Sequence, residues 1–395
     1  MPTNEDGVMN FVQNSNLYYL SGIDQEETKL IVAPDYADEE MREILFVKAT
    51  NEHIAIWEGH KFTKEEATAI SGIKKVLWSH EFESTLDNIL ATVNNIYLDK
   101  NEHLRASGSV ETQNDRLIKD ITSNYPLHQK LRAAPLVYDL RSVKSAEEIA
   151  FIQKAIDITE SGFKRVLKFL RPGKMEFEVE AELIHEFTRL GSTGFAFQPI
   201  VASGKSGCVL HYIENSKEIK DGDLVLMDIG AKYGGYNADL TRSVPANGRF
   251  SKRQAEVYKA VLHVQREAKK LLTPGNSIRA YHKQVGEIMT EQLVKIGLLK
   301  QDEVNRQDPK KPLYRKYFMH GTSHHLGLGV HDVGSPFKKF EAGMVFTVEP
   351  GIYILEEGIG IRLEDDVVIQ ENGEPKNLMK NVPIEIEEIE DLMNS

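Results

Sequence analysis

Leu224-Val225-Leu226-Met227-Asp228-Ile229-Gly230 reads as a strand with apolar residues on both faces and an aspartate inside it. Such a run belongs to a strand covered on both sides. An isolated ionised carboxylate there costs many kcal/mol unless it is paired or binds a metal. Eleven residues later, on the returning strand of the pair Asp223 to Ala231 with Tyr236 to Val244, comes Asp239. Met344-Val345-Phe346-Thr347-Val348-Glu349 repeats the anomaly, and Glu364 follows fifteen residues on, in the pair Met344 to Ile354 with Gly358 to Ile369. Each strand pair offers one acid from each arm, and hairpin geometry can bring the two within about 5 Å.

Four converging carboxylates carry −4 and repel one another strongly without cations. Two divalent ions balance that charge, whereas one leaves −2. Between the strand pairs lies His320-Gly-Thr-Ser-His324-His325-Leu-Gly-Leu-Gly-Val-His331, four histidines in twelve residues, with glycines that permit close backbone approach. Oxygen-rich ligands with one imidazole favour hard or borderline ions such as Mn²⁺ over zinc. Two metals a few Å apart are machinery for hydrolysis, and from the residues alone a peptidase and a dinuclear phosphoesterase both fit.

Outward from these pairs the pattern is one of long helices. Ser145-Ala146-Glu147-Glu148 is a capping box opening a long amphipathic helix that stops at Arg171-Pro172-Gly173. Helices are expected from Glu176 to Leu190, from Ser251 to Leu272 and from Ser277 to about Ile296. The first third instead shows short β-type runs, Asn16 to Leu20, Lys29 to Ala33, Glu43 to Val47 and His53 to Trp57, with a helical stretch at Lys64 to Ile70, which predicts an α/β domain. The acidic end, Ile384 to Asp391, reads as a solvated terminus.

The chain has 395 residues, more than one core usually holds, so two domains are expected, meeting near Val143. Its 48 Lys+Arg against 60 Asp+Glu give a net charge of −12, which disfavours nucleic acid as a partner. No apolar run exceeds four residues and the opening, Met1 to Asn16, is polar, so no membrane partner and a cytoplasmic location are expected. The single cysteine, Cys208, excludes internal disulfides and multi-thiolate metal sites and reads as a buried small residue. Tyr212, Tyr233 and Tyr353 are not separable from core packing at this level.

Cys208-Val-Leu-His211-Tyr, Asp223-Leu-Val-Leu-Met-Asp228 with Tyr236-Asn-Ala-Asp239-Leu-Thr-Arg, His320 to Gly334, Thr347-Val-Glu349-Pro-Gly and Gly360-Ile-Arg362-Leu-Glu364-Asp-Asp closely resemble the pita-bread metallopeptidases, among them the aminopeptidase P group. The resemblance implies an α/β creatinase-like N-terminal domain, residues 1–143, and an α+β pita-bread catalytic domain, residues 144–395. It implies that Asp228, Asp239, His324, Glu349 and Glu364 hold two divalent ions, Asp239 and Glu364 as bridges. His211, His320 and His331 match histidines that contact the substrate and stabilise the tetrahedral intermediate, and Arg362 matches a buttressing arginine. The implied reaction is attack of a metal-bridging hydroxide on peptides with proline in second position, with Glu349 shuttling the proton, in a homo-oligomer, dimer or tetramer. A prolidase acting on Xaa-Pro dipeptides is the nearest alternative; a non-catalytic binding protein of the same fold would have lost ligand positions that are intact here. Departures from the family pattern are a short segment before Gln13, His325 where an aromatic is common, and Gly329 where aspartate is common.

Overall fold

The computed structural model describes residues 2–4, 7–8, 11–102 and 110–395. Contacts divide the chain into two compact units, Met1–Val137 and Tyr138–Ser395. The division lies a few residues before the boundary expected near Val143, and within the second unit the Arg141 guanidinium pairs with Asp332.

In the first unit, strand Glu43–Val47 runs between Lys29–Val32, antiparallel, and Lys75–Trp78, parallel. Its alternation sends Ile44 and Phe46 to a cluster with Phe82, Leu86, Ile89 and Ile96, and Leu45 and Val47 to one with Ile23, Ala67, Ile73 and Val76. Both faces are thus covered by helix, the α/β arrangement that the runs predict. Two of those runs are helices instead. Ser15–Ser21 is capped by Asn14, whose side chain accepts from Asn16 and Leu17 N–H, and ends at left-handed Gly22. Glu52–Glu58 is capped by Asn51. Runs of five residues cannot separate a period of 2 from one of 3.6, and the caps decide.

The second unit joins three strands, Ile200–Ser203, Leu224–Ile229 and Leu240–Pro245, all antiparallel, to a second set in which Val345–Val348 pairs with Asp365–Val368 and Gly351–Ile354 with Ile359–Arg362. Long helices flank them. Ala146–Phe169 starts at the Ser145–Glu148 capping box and buries Ile152, Ala155, Ile156, Thr159, Phe163 and Val166 at helical spacing. Thr159 Oγ1 accepts from Ala231 N at 2.9 Å, tying this helix to the turn beyond Asp228. Glu176–Arg189, Lys252–Lys270 and Ile278–Lys295 complete the set.

Neither hairpin is continuous. The first ladder ends at Ile229 with Leu240, and Asp239 stands just outside it. The second is interrupted at Glu349-Pro350 on one arm and Leu363-Glu364 on the other, where proline cannot donate to a ladder. Asp239, Glu349 and Glu364 therefore occupy breaks rather than directly facing cross-strand positions, whereas Asp228 stays within its ladder opposite Thr241. A Cβ at Gly230 would lie 1.9 Å from Ala238 O, so only glycine lets the arm bearing Asp239 approach this closely. The two hairpins abut where Glu364 N donates to Thr241 O at 3.0 Å and Arg242 NH1 donates to Glu364 O at 2.6 Å.

The acidic end is not a solvated tail. Ile386–Met393 is a helix whose Ile386 and Ile389 are buried and which packs on Ala146–Phe169. Its i, i+3 apolar pair is hidden in composition by the surrounding acids. No helix among the described residues is long and apolar enough to cross a membrane. Replacing Ile389, 0 % exposed, by alanine should cost about 2–5 kcal/mol, as for other buried isoleucines. Urea denaturation monitored by circular dichroism measures this, and an unchanged midpoint would place the helix in solvent.

Candidate metal centre

Asp239, His324 and Glu364 each offer a ligand atom, all within 4.8 Å of one another. The orientation of His324 follows from its partner. Its Nδ1 lies 3.0 Å from His325 O, an acceptor only, so Nδ1 carries the proton and Nε2 presents a lone pair. That lone pair faces Asp239 Oδ2 at 3.4 Å and Glu349 Oε1 at 3.8 Å. Three acceptors aimed at one another repel, and a cation between them converts the repulsion into attraction.

The remaining acids join the same pocket. Burial, and then the charges of Asp228, Asp366 and Glu349, push the Asp239 carboxyl well above the ordinary range. Burial, then Asp239, Glu349 and Asp228, do the same to Glu364. Asp228 gives Oδ2 to Arg362 NH2 at 2.6 Å, while its buried Oδ1 has no hydrogen-bond partner among the described residues. An orphaned buried carboxylate oxygen is what a divalent ion would coordinate. The donor set, four carboxylates and one imidazole whose other nitrogen is held by a carbonyl, fits two hard or borderline divalent ions.

Arg362 is nearly buried and joins the two hairpins. Besides Asp228 it donates to Tyr353 Oη at 2.9 Å and to Thr241 Oγ1 at 3.2 Å, and Thr241 in turn donates to Glu364 Oε2 at 2.6 Å. Tyr353 donates to His320 Nε2 at 2.8 Å, since His320 Nδ1 is committed as donor to Gly321 O at 2.8 Å. Burial and the Arg362 charge push His320 down to about 3, so it is neutral at physiological pH. Both ring nitrogens of His320 are thus within hydrogen-bond distance of protein groups, and Nδ1 also lies 3.5 Å from Glu349 Oε2.

His331 stacks on His324, ring centroids 4.0 Å apart. His211 is exposed, close enough to His320 for their charges to interact. The next residue fixes its segment: Tyr212 donates to Glu176 Oε2 at 2.7 Å, and fully buried Glu176 also accepts from Ser203 N and Oγ and from Lys217 N. His325 lies against Phe346 with ring centroids 4.2 Å apart. Cys208 is half-buried rather than buried; its thiol donates to Ile359 O, and burial raises it further from the thiolate. Thr241 is the residue that the sequence did not single out, and Tyr353 was not separable there from core packing. Tyrosine and threonine in strands are ordinary, and no spacing signal marks these two.

The model of metallopeptidase family M24 matches residues 150–371, and that of the aminopeptidase P N-terminal domain matches residues 1–97. The Xaa-Pro aminopeptidase of Escherichia coli (strain K12) is 38% identical over 396 residues, covering 96% of this chain and 88% of the relative. That of Haemophilus influenzae is 36% identical over 403 residues, covering 99% and 90%. Among solved structures, zinc-substituted E. coli aminopeptidase P in complex with product superposes with a TM-score of 0.86 at 36% identity, covering 99% of this chain and 91% of that one. The aminopeptidase of Pseudomonas aeruginosa gives 0.89 at 32%, with the same coverage.

A donor set arranged around mutual repulsion is stabilised by its ions. Adding a divalent ion at about 100 times its Kd to chelator-treated protein should stabilise it by about 2.7 kcal/mol. The melting temperature of the second unit should rise by roughly 5 °C, given about 2 °C per kcal/mol for a domain of about 250 residues. Calorimetry with and without Mn²⁺ measures the rise, and Glu364→Ala should abolish most of it; an equal rise in that variant would locate the ions elsewhere.

Proposed function

The chain belongs to metallopeptidase family M24, and from that premise we propose how its residues release the first residue of peptides with proline in second position. It is a metallo-exopeptidase of the Xaa-Pro aminopeptidase type, with a dinuclear metal site in a pita-bread domain that follows an aminopeptidase P N-terminal domain. The observation that carries this reading is the His324 Nε2 lone pair turned toward Asp239 and Glu349, with Glu364 beside them.

Asp228, Asp239, His324, Glu349 and Glu364 are the residues that would hold the ions, with Asp239, His324 and Glu364 at the centre of the set. When bound, two divalent ions supply Lewis acidity toward the scissile carbonyl and lower the pKa of water to near neutrality. Asp239 also receives the substrate's α-ammonium group, which selects a free N-terminus. Glu349 takes the proton of the attacking water and returns it to the proline nitrogen as the peptide bond breaks. His331 and His211 donate N–H to the developing oxyanion, a contribution of a few kcal/mol. Arg362 orients Asp228, and His320 acts through Tyr353 on that arginine. Because the proline nitrogen carries no hydrogen, a site that needs no donor there accepts a bond that many peptidases leave intact.

Mn²⁺ is the proposed ion, on the chemistry of the oxygen-rich donors. A cytoplasmic location and a dimeric or tetrameric assembly are proposed on the family resemblance.

Substrate length separates this reading from the prolidase one. A dipeptidase must hold the proline carboxylate beside the metals with a cation, and both arginines of these motifs are committed, Arg362 to Asp228, Tyr353 and Thr241 and Arg242 to Asp365 and the Glu364 and Pro383 carbonyls. A tripeptide with proline second should be cleaved with kcat/KM at least equal to that of the matching Xaa-Pro dipeptide, measured with the Mn²⁺ enzyme at neutral pH. Cleavage of the dipeptide alone would make the enzyme a prolidase.

A further inference from the structure

Asp332 is the neighbour of His331 in the chain, and its carboxylate is paired with two buried cations. Arg141 NH2 lies 2.5 Å from Oδ1 and Lys144 Nζ 3.1 Å from Oδ2. The three side chains are 2 %, 5 % and 1 % exposed, for Asp332, Arg141 and Lys144 respectively. Burying three charges to make such a group is a poor route to stability, since apolar residues of similar volume usually serve as well or better. Its retention therefore calls for a reason in the geometry it imposes.

That geometry concerns the histidine loop. Asp332 N donates to His325 O at 2.8 Å, the same carbonyl that fixes His324 Nδ1. Asp332 Oδ1 also accepts from Gly329 N at 3.3 Å, so the carboxylate closes the loop from within. The loop is moulded to it: a Cβ at Gly327 would stand 2.3 Å from Asp332 Oδ2 and 2.9 Å from Lys144 Cε. On the other side Lys144 is itself tied down, its N–H donating to Gly343 O at 2.9 Å. The ring of His331, one residue away, stacks on His324.

We propose that Asp332, clamped between Arg141 and Lys144, is a positioning residue for catalysis that sets the His331 ring over His324. Burial raises the Asp332 carboxyl, but Lys144 and then Arg141 outweigh it and hold it below the ordinary range, so the clamp stays charged at neutral pH. This inference rests on the reading of His331 as an oxyanion donor. Without the clamp, His331 keeps its chemistry and loses its place, a loss that falls on kcat and not on substrate affinity.

The test is made on the full chain with both metals loaded. Lys144→Met keeps the length of the side chain and leaves Arg141 to satisfy Asp332, so folding is retained more readily than in Asp332→Asn, the second variant. Both should lower kcat by about tenfold to a hundredfold, the range for groups that orient a site from behind. KM and metal content should change little, and Lys144→Arg should restore most of the rate. In a His331→Ala background Lys144→Met should produce no further loss in kcat. Losses that multiply in the double variant, or a Lys144→Met enzyme that melts earlier with kcat unchanged, would make the clamp purely structural and leave the reading of His331 standing. Full activity of His331→Ala alone would overturn that reading, and the inference with it.

Discussion

Asp228, Asp239, Glu349 and Glu364 repel one another across a pocket in which Asp239 and Glu364 are buried, and the architecture of the second unit is arranged to bear that repulsion. Burial and mutual charge push Asp239 and Glu364 in the same direction, toward the neutral acid. Arg362, in direct contact, offsets part of the charge. The remainder is a standing affinity for divalent cations, built in by the fold before any ion arrives. Stability and function oppose each other here, because whatever relieved the repulsion within the protein would also remove the affinity.

The acids can be held together because three of them, Asp239, Glu349 and Glu364, stand on breaks in the sheet and their neighbours do the pairing. Glu364 sits between two ladders while the next residue, Asp365, takes Arg242 at 2.7 Å, Gln265 at 2.8 Å and Asn377 at 2.9 Å. Asp365 is held near the floor of the carboxylate range despite complete burial, because Arg242 and Lys269 outweigh the desolvation. Adjacent residues on one chain thus have opposite electrostatic fates. Asp365 is fully compensated and anchors the strand, whereas Glu364 is left short of positive charge and faces the pocket. Arg242 also donates to the Glu364 carbonyl, so the compensated ion pair fixes the backbone of the uncompensated one.

How much of this was legible in the sequence depends on whether a local rule was broken visibly. Asp228 inside an apolar strand is such a breach, and so are four acids recurring in two strand pairs; these pointed to the catalytic unit and the expected ligands. The helix boundaries were equally readable, since Ser145, Ser251 and Ser277 carry their caps in plain sight. Where two readings shared one pattern, the sequence misled. Asn16 to Leu20 and His53 to Trp57 are too short to reveal a period, and the asparagine preceding each helix was the available sign. The C-terminal helix was hidden because acids outnumber its buried isoleucines. Tyr353 and Asp332 broke no rule at all: a tyrosine in a strand and an aspartate in a loop acquire meaning only through partners far away in the chain.

The histidines make the same point most sharply. His320, His324, His325 and His331 lie within twelve residues and look alike as sequence, yet hydrogen-bond partners give each a different office. A carbonyl on Nδ1 makes His324 a lone pair for a cation. The same kind of bond on His320, with Tyr353 taking the other nitrogen, makes it a link in a chain ending at Asp228. His325, with burial and Lys144 pushing it down to about 3, packs against Phe346 as a neutral ring. His331 is set apart by its neighbour Asp332, a carboxylate gripped by two buried cations. Imidazole chemistry is common to all four, so the division of labour among them is imposed by backbone carbonyls and distant charges, and it is there that substitutions remote from the metals can reach the reaction.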